Sequence, residues 1–176
     1  KESAIAVVEP EDNQLWMIVV NKVFVYSYFK SSKIAAWSVY EPGFVIEHAV
    51  VIGTKLYLRS GDTIYLYGGD NGTDYGSDYE VVVELPFVSA RSIATFKEWS
   101  ALDVACSGVW TIEATLDVKQ PDTYQTLAII SGPTYSDLAS SMAANASNIG
   151  LRFRHQAEGD ATLSNAAFHY DLNEAT

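Results

Sequence analysis

The feature that most restricts the fold of this chain is a series of short apolar runs between Leu15 and Tyr67: LWMIVV, VFVYSYFK, IAAWSVYE, FVIEHAVVIG, KLYLRS and TIYLYGG. Most are about five to eight residues long, which is strand length, and short polar breaks separate them. No window keeps the i, i+3, i+4, i+7 spacing that lays an apolar stripe along a helix, so the stretch predicts an antiparallel meander.

Part of that meander repeats. Lys22-Val-Phe-Val-Tyr-Ser27 matches Lys55-Leu-Tyr-Leu-Arg-Ser60 type for type at most positions, at an offset of 33 residues, and each copy follows an apolar strand across a tight turn. The first turn is expected at Asn21-Lys22, where Asn tolerates positive φ. The offset falls short of the ~40–45 residues of a propeller blade, so a repeated blade and two merely similar hairpins both stay open. On the strand after that turn, Phe24, Tyr26 and Tyr28 share one face, and Val23, Val25, Ser27 and Phe29 share the other. Large apolar groups on both faces predict a strand covered on both sides, or covered on one and set in an oligomer on the other.

Gly68 to Ser77, GGDNGTDYGS, is too rich in glycine and aspartate to build a core element, and it marks the boundary in the chain. The expected organisation is therefore a propeller-blade-like meander over residues 1–68, a loop or linker over 69–78, and a β-sandwich-like domain over 79–176. Asp70, Asp74 and Asp78 invite a calcium reading, but Gly72 stands where an EF-hand needs an oxygen ligand and Tyr75 where it needs glycine. A solvated loop is the expectation.

In the second half, YEVVVEL (Tyr79 to Leu85) reads as a strand stopped by Pro86, followed by Ile93 to Trp99 and Leu102 to Ala105. From Val109 to Val118, Trp110, Ile112, Ala114 and Leu116 alternate with Thr111, Glu113, Thr115 and Asp117, a half-buried strand with a polar outer face. Tyr124 to Ser131 is a further strand, broken by Gly132-Pro133. Ser136 to Ala146 is expected as a loop carrying at most a helical turn, with Ser136 as N-cap. Ile149 to Ala157 and Ala161 to Leu172 close the chain as two paired strands. Roughly six or seven strands in about 100 residues is the scale of a β-sandwich.

Charge limits the partners. A net charge of −11 with only 11 Lys and Arg gives no basic footprint for a phosphate backbone, so tight nucleic-acid binding is excluded. The apolar runs are strand length, so no membrane segment is expected. Cys106 is the only cysteine, which rules out an intrachain disulfide; its flanks predict a buried thiol near a strand end.

Candidate chemistry is sparse. No G-x-S-x-G turn exposes a nucleophile, and no H-x-H, H-E-x-x-H or C-x-x-C spacing points to a metal. His48, His155 and His169 all fall within strand patterns and are expected to be satisfied by neighbouring groups rather than to act in catalysis. Glu80 with Glu84, and Glu113 with Asp117, share strand faces, a spacing that reads as solvation before it reads as a glycosidase pair. Asn71-Gly-Thr73 and Asn145-Ala-Ser147 match the glycosylation acceptor pattern, which matters only in a secretory pathway. No catalytic, cofactor-binding or metal residue is assigned, and no enzymatic activity is expected.

Several segments resemble a known family: Gln14-Leu-Trp-Met, Val25-Tyr-Ser-Tyr, Ala36-Trp-Ser-Val-Tyr40, Ala49-Val-Val-Ile, Lys55-Leu-Tyr-Leu-Arg-Ser-Gly61, Phe96-Lys-Glu-Trp, Gly108-Val-Trp-Thr and Leu163-Ser-Asn-Ala-Ala-Phe-His-Tyr170. Together they look like the tail nozzle proteins of short-tailed bacteriophages, also called tail tubular protein B or packaged-DNA stabilisation proteins. The resemblance implies a longer parent chain that combines a β-propeller with sandwich-like parts and forms a ring, six-fold in the family. It also implies location in the virion tail, with other copies, the tail adaptor and fibre proteins as partners. The family carries no catalytic residues to transfer.

The expectation is an all-β fragment, an antiparallel meander or partial β-propeller followed by a β-sandwich-like domain, serving as a structural tail component. In isolation it is expected to be monomeric or weakly associating. The alternative is a carbohydrate-binding β-sandwich, which would present a solvent-facing Trp in a groove, whereas a nozzle fragment would bury Trp16, Trp37, Trp99 and Trp110. A glycoside hydrolase fragment using two carboxylates comes third.

Overall fold

A computed structural model of the chain describes residues 4–31, 33–69, 73, 76–90, 92–131, 140–157 and 159–172. Every regular element among them is a β-strand, all pairings are antiparallel, and no helix is present. The protein is all-β. The chain divides into two compact units, Lys1–Asp70 and Asn71–Thr176.

The first unit holds β1 (Ala4–Glu9), β2 (Gln14–Val19), β3 (Lys22–Phe29) and β4 (Ile34–Tyr40) in one sheet, in that spatial order. A second sheet holds β5 (His48–Ile52), β6 (Lys55–Ser60) and β7 (Thr63–Leu66). Alternation decides how the two meet. Trp16, Ile18, Val23 and Val25 turn inward from the first sheet, Leu56 and Leu58 turn inward from the second, and all are buried in one core with Ile46.

Val23 and Leu56 occupy the same position of the repeated hairpin, as do Val25 and Leu58, and both pairs face the shared core. Successive propeller blades are related by rotation about a common axis, so their shared interface takes one phase from one blade and the opposite phase from the next. Here both sheets offer the same phase, which makes the unit a small two-sheet sandwich. The repeat is one of hairpins, and no closed propeller is formed among the described residues.

The turns sharpen this. Register places Val19 opposite Lys22 and Ile52 opposite Lys55, so the two-residue loops are Val20-Asn21 and Gly53-Thr54. The expected turn is thus shifted by one residue. Positive φ falls on Val20 (57°) and Gly53 (67°). Before β2, the buried Glu9 carboxylate accepts hydrogen bonds from the N–H groups of Glu11 and Asp12, both at 2.8 Å, and fixes the loop that follows Pro10.

Among its described residues the second unit is a sandwich of seven strands: β8 (Val81–Val88), β9 (Lys97–Ser107), β10 (Val109–Thr115), β11 (Gln125–Ser131), β12 (Ser140–Ala146), β13 (Ile149–His155) and β14 (Thr162–Leu172). One sheet runs β11-β10-β13-β8 and the other β12-β9-β14. Trp99, Leu102, Val104 and Cys106 from one sheet meet Trp110, Ile112, Ile149, Leu151 and Phe153 from the other in a common core. Gly108 carries the chain from β9 to β10 at φ 82°, and a Cβ there would lie 2.8 Å from Ala161 Cβ. Only glycine fits both demands.

Three expectations in this unit are corrected. Pro86 does not stop its strand: β8 is an edge strand and its ladder with β13 is irregular between Leu85 and Val88, so the missing N–H is absorbed at a bulge. The two strands expected at Ile93–Trp99 and Leu102–Ala105 are one, β9, with Ser100 left out of its ladder with β14; that bulge flips the buried phase from Trp99 to Leu102. Residues 140–146, expected as loop or helical turn, form β12, with Met142, Ala144 and Ala146 facing the core. Ser136 and Gly132-Pro133 lie outside the described residues.

Candidate functional site

The outer face of the first sheet is the most distinctive surface of the chain. Cross-strand register sets Val8, Leu15, Tyr26 and Trp37 in one row and Ala6, Met17, Phe24 and Val39 in the next. Neither row carries a charge. Trp37 is 59% exposed, and Val8, Val39, Tyr28 and Met17 are exposed as well. Tyr26 and Trp37 rings lie 5.0 Å apart and tilted, a cross-strand aromatic pair. Within this unit β3 is covered on one face only: Val23 and Val25 are buried, while Phe24 and Tyr28 stand open.

At one end of that face Lys22 Nζ pairs with a Glu41 carboxylate oxygen at 2.7 Å, and at the other Lys30 and Lys33 flank the turn between β3 and β4. Surface-exposed pairs of this kind contribute little to stability.

The other three tryptophans are buried, and each indole N–H is satisfied. Trp16 Nε1 donates to Gln14 Oε1 at 2.9 Å, Trp99 to the Ala146 carbonyl at 3.1 Å and Trp110 to the Ser107 carbonyl at 2.9 Å. They are core anchors rather than ligand platforms.

The carboxylates singled out in the sequence are engaged by arginines on β13. Arg152 Nε donates to Glu113 Oε2 at 2.6 Å, Arg152 also faces Glu84 at 3.7 Å, and Arg154 bonds Glu80 and stands 3.9 Å from Glu113. The Arg152 guanidinium lies 3.8 Å over the Tyr124 ring. Its hydrogen bond to Glu113 holds Arg152 above its ordinary pKa, and burial, with Glu84 next, raises the Tyr124 phenol. The expected polar outer face of β10 is therefore covered: Glu113 and Thr115 are buried, whereas Leu116 is exposed and lies past the strand end. Asp117 turns away to accept the Lys119 N–H at 2.8 Å. With a guanidinium on each of the three glutamates, this cluster is a brace between β8, β10 and β13.

The histidines separate. His155 is buried and its Nδ1 donates to the Val109 carbonyl at 2.7 Å, the backbone partner that strand alternation anticipates. His169 Nε2 donates to Asp103 Oδ2 at 2.6 Å on a solvent-facing surface, and His48 is exposed at the start of β5. Ser100 Oγ donates to the backbone carbonyl of His169 and not to its ring, so no relay is assembled. Cys106 is buried near the end of β9. Asn145 of the second acceptor pattern is exposed on β12.

A cleft of about 320 Å³ is lined by Tyr79, Trp110, His155 and Asp160 at one end of the second sandwich. Among the described residues no group of three or more His, Cys, Asp or Glu side chains converges to hold a metal. Asp70, Asp74 and Asn71 lie outside the described residues; Asp78 is exposed beyond the strands. Among the described residues no helix is long and apolar enough to cross a membrane.

Sequence reasoning did not foresee Lys97, a fully buried lysine at the start of β9. Its ammonium donates to the carbonyls of Thr95 at 2.8 Å and Ser147 at 3.0 Å, and to that of Ser92. A lysine flanked by Phe96 and Trp99 was the available signal. No protein-family model matches the chain, and no curated protein matches it either.

Proposed function

We propose that this chain is a structural component of a bacteriophage tail, part of the nozzle or tail tube, that supports the DNA exit conduit and is not an enzyme. Its partners are other copies of the same protein arranged in a ring, together with adaptor and fibre proteins, and its location is the virion. The observation that carries the reading is the apolar outer face of β1–β4, which suits a subunit covered by a neighbouring protein; Trp37, expected to be buried in a nozzle fragment, is exposed in the single chain and the reading needs that neighbour to cover it. The resemblance of its strand segments to the tail nozzle family supports the same reading. So does the net charge of −11, because a conduit wall without clustered Lys and Arg gives passing phosphates nothing to adhere to. The propeller implied by that resemblance is proposed for other parts of a longer parent chain.

The test is the genetic and physical context of the parent. Portal and adaptor genes beside its coding sequence, with its peptides found in purified particles by mass spectrometry, would support the assignment. A setting of sugar-degrading enzymes, with no such peptides in particles, would overturn it.

A second reading, a carbohydrate-binding module, rests on Trp37, whose exposed indole sits beside Tyr26. The platform is a sheet face and not a groove. Tryptophan fluorescence that shifts on adding glycans, and loses the shift in Trp37→Ala, would favour it.

A further inference from the structure

We infer that β4 is a self-pairing edge, through which two copies of this chain join their first sheets about a two-fold axis at Trp37. The strand is hydrogen-bonded to β3 on one side, and among the described residues no strand occupies its other side. Its register with β3 runs unbroken from Val23 opposite Tyr40 to Phe29 opposite Ile34. Edge strands are normally blunted by a lysine, a proline, a bulge or a covering loop. From Ile34 to Tyr40 there is no charge, proline or bulge, and Ala35 to Val39 are exposed.

The sequence of the strand selects its occupant. Antiparallel pairing of two copies centred on Trp37 sets Trp37 against its own copy, Ala35 against Val39 and Ala36 against Ser38. Small thus meets large on the apolar face, and an aromatic pair sits at the axis. The same register brings Lys33 opposite Glu41 at both ends. Moving the centre to Ser38 sets Glu41 against Ala35, and moving it to Ala36 sets Lys33 against Val39, so the Trp37 centre is the one that matches opposite charges. In a chain of net charge −11, that complementarity gives two copies a place to meet without like charges opposed. An axis perpendicular to the sheet keeps both outer faces on one side and makes a single wider apolar surface.

This goes beyond the tail assignment and does not depend on it. The expectation from the sequence is a monomeric or weakly associating chain; the open edge argues for a dimer. The test uses the 176-residue chain at low salt in sedimentation equilibrium, with circular dichroism to verify the strands of each variant. The wild type is expected to show a concentration-dependent dimer. Lys33→Glu and Glu41→Lys should each dimerise about tenfold more weakly, since two exposed pairs become repulsive. An equimolar mixture of the two variants restores opposite charges at both ends and should recover wild-type association.

A covalent arm fixes the register. Trp37→Cys should form an intermolecular disulfide on mild oxidation, because opposed Cα atoms in a ladder lie within disulfide reach, while Val39→Cys, four residues from its own copy, should not. A wild type that stays monomeric at all concentrations, or a mixture no tighter than its components, would sink the inference and leave the tail assignment to its own test.

Discussion

Val20 and Gly53 hold the same position in two hairpins offset by 33 residues, and both take left-handed backbone, at φ 57° and 67°. Glycine adopts that conformation freely, whereas a β-branched residue is strained there by about 1–2 kcal/mol. The side chain of Val20 is half in solvent and anchors little. Val20→Gly should therefore raise the stability of the first unit by about 0.5–1 kcal/mol, after the added chain entropy of glycine is deducted. Gly53→Val should lower it by at least as much. Urea midpoints followed by tryptophan fluorescence measure both, and a Val20→Gly midpoint at or below the wild type refutes the strain argument.

Lys97 is stabilised by three carbonyls from Ser92, Thr95 and Ser147. Replacing it with Met keeps the volume and leaves those acceptors facing an apolar tip. Unsatisfied buried groups cost about 1–3 kcal/mol each, partly recovered where water enters, so Lys97→Met should destabilise the second unit by about 2–4 kcal/mol. Thermal unfolding monitored by near-ultraviolet circular dichroism reads the loss. A shift within error would mean that the lysine is not held as described.

Thr115 presents the opposite case. It is 1% exposed, and among the described residues its Oγ1 has no hydrogen-bond partner. Valine has the same shape without the hydroxyl, so Thr115→Val should stabilise the fold by about 1 kcal/mol. Equal or lower stability in a denaturant melt would show that the hydroxyl is satisfied after all.

Alternation carried most of what was legible in the sequence. The all-β class, the strands of the first unit and the inward set Leu151, Phe153 and His155 all follow from period-two patterning, which burial of one sheet face imposes. The pattern fails where a ladder is irregular. Ser100 and Pro86 break phase or remove a donor, which reads as an ending in a single strand, yet a neighbouring strand absorbs either as a bulge. SSMAANA lacks β-branched residues and reads as helix-tolerant, but pairing with β9 overrides that weak preference.

The surface was partly legible. Apolar groups on both faces of β3 implied a partner, but only the phase shared by Val23 and Leu56 told which face the second sheet takes and which it leaves open. The links of Arg152 to Glu113 and of His169 to Asp103 join residues 39 and 66 positions apart, and that of Arg152 to Tyr124 joins β13 to the residue before β11, all beyond any local spacing.

The Tyr67 ring packs edge-on against Trp16 at 4.5 Å, and burial pushes its phenol well above the ordinary value near 10, with Tyr40, Asp12 and Glu9 acting in the same direction. Because the folded pKa lies above the unfolded one, the neutral phenol's contribution to stability is complete below about pH 10, where neither state has ionised. Above that, the unfolded chain releases this proton while the folded one retains it, so the contribution is lost as pH rises towards the folded value. Tyr67→Phe removes the titrating group and keeps the ring, and should flatten the fall in stability between about pH 10 and 12 while leaving the neutral-pH midpoint within about 1 kcal/mol, the scale of one lost hydrogen bond. Urea melts at stepped pH, wild type against variant, decide it: parallel losses in the two proteins would place the alkaline sensitivity elsewhere.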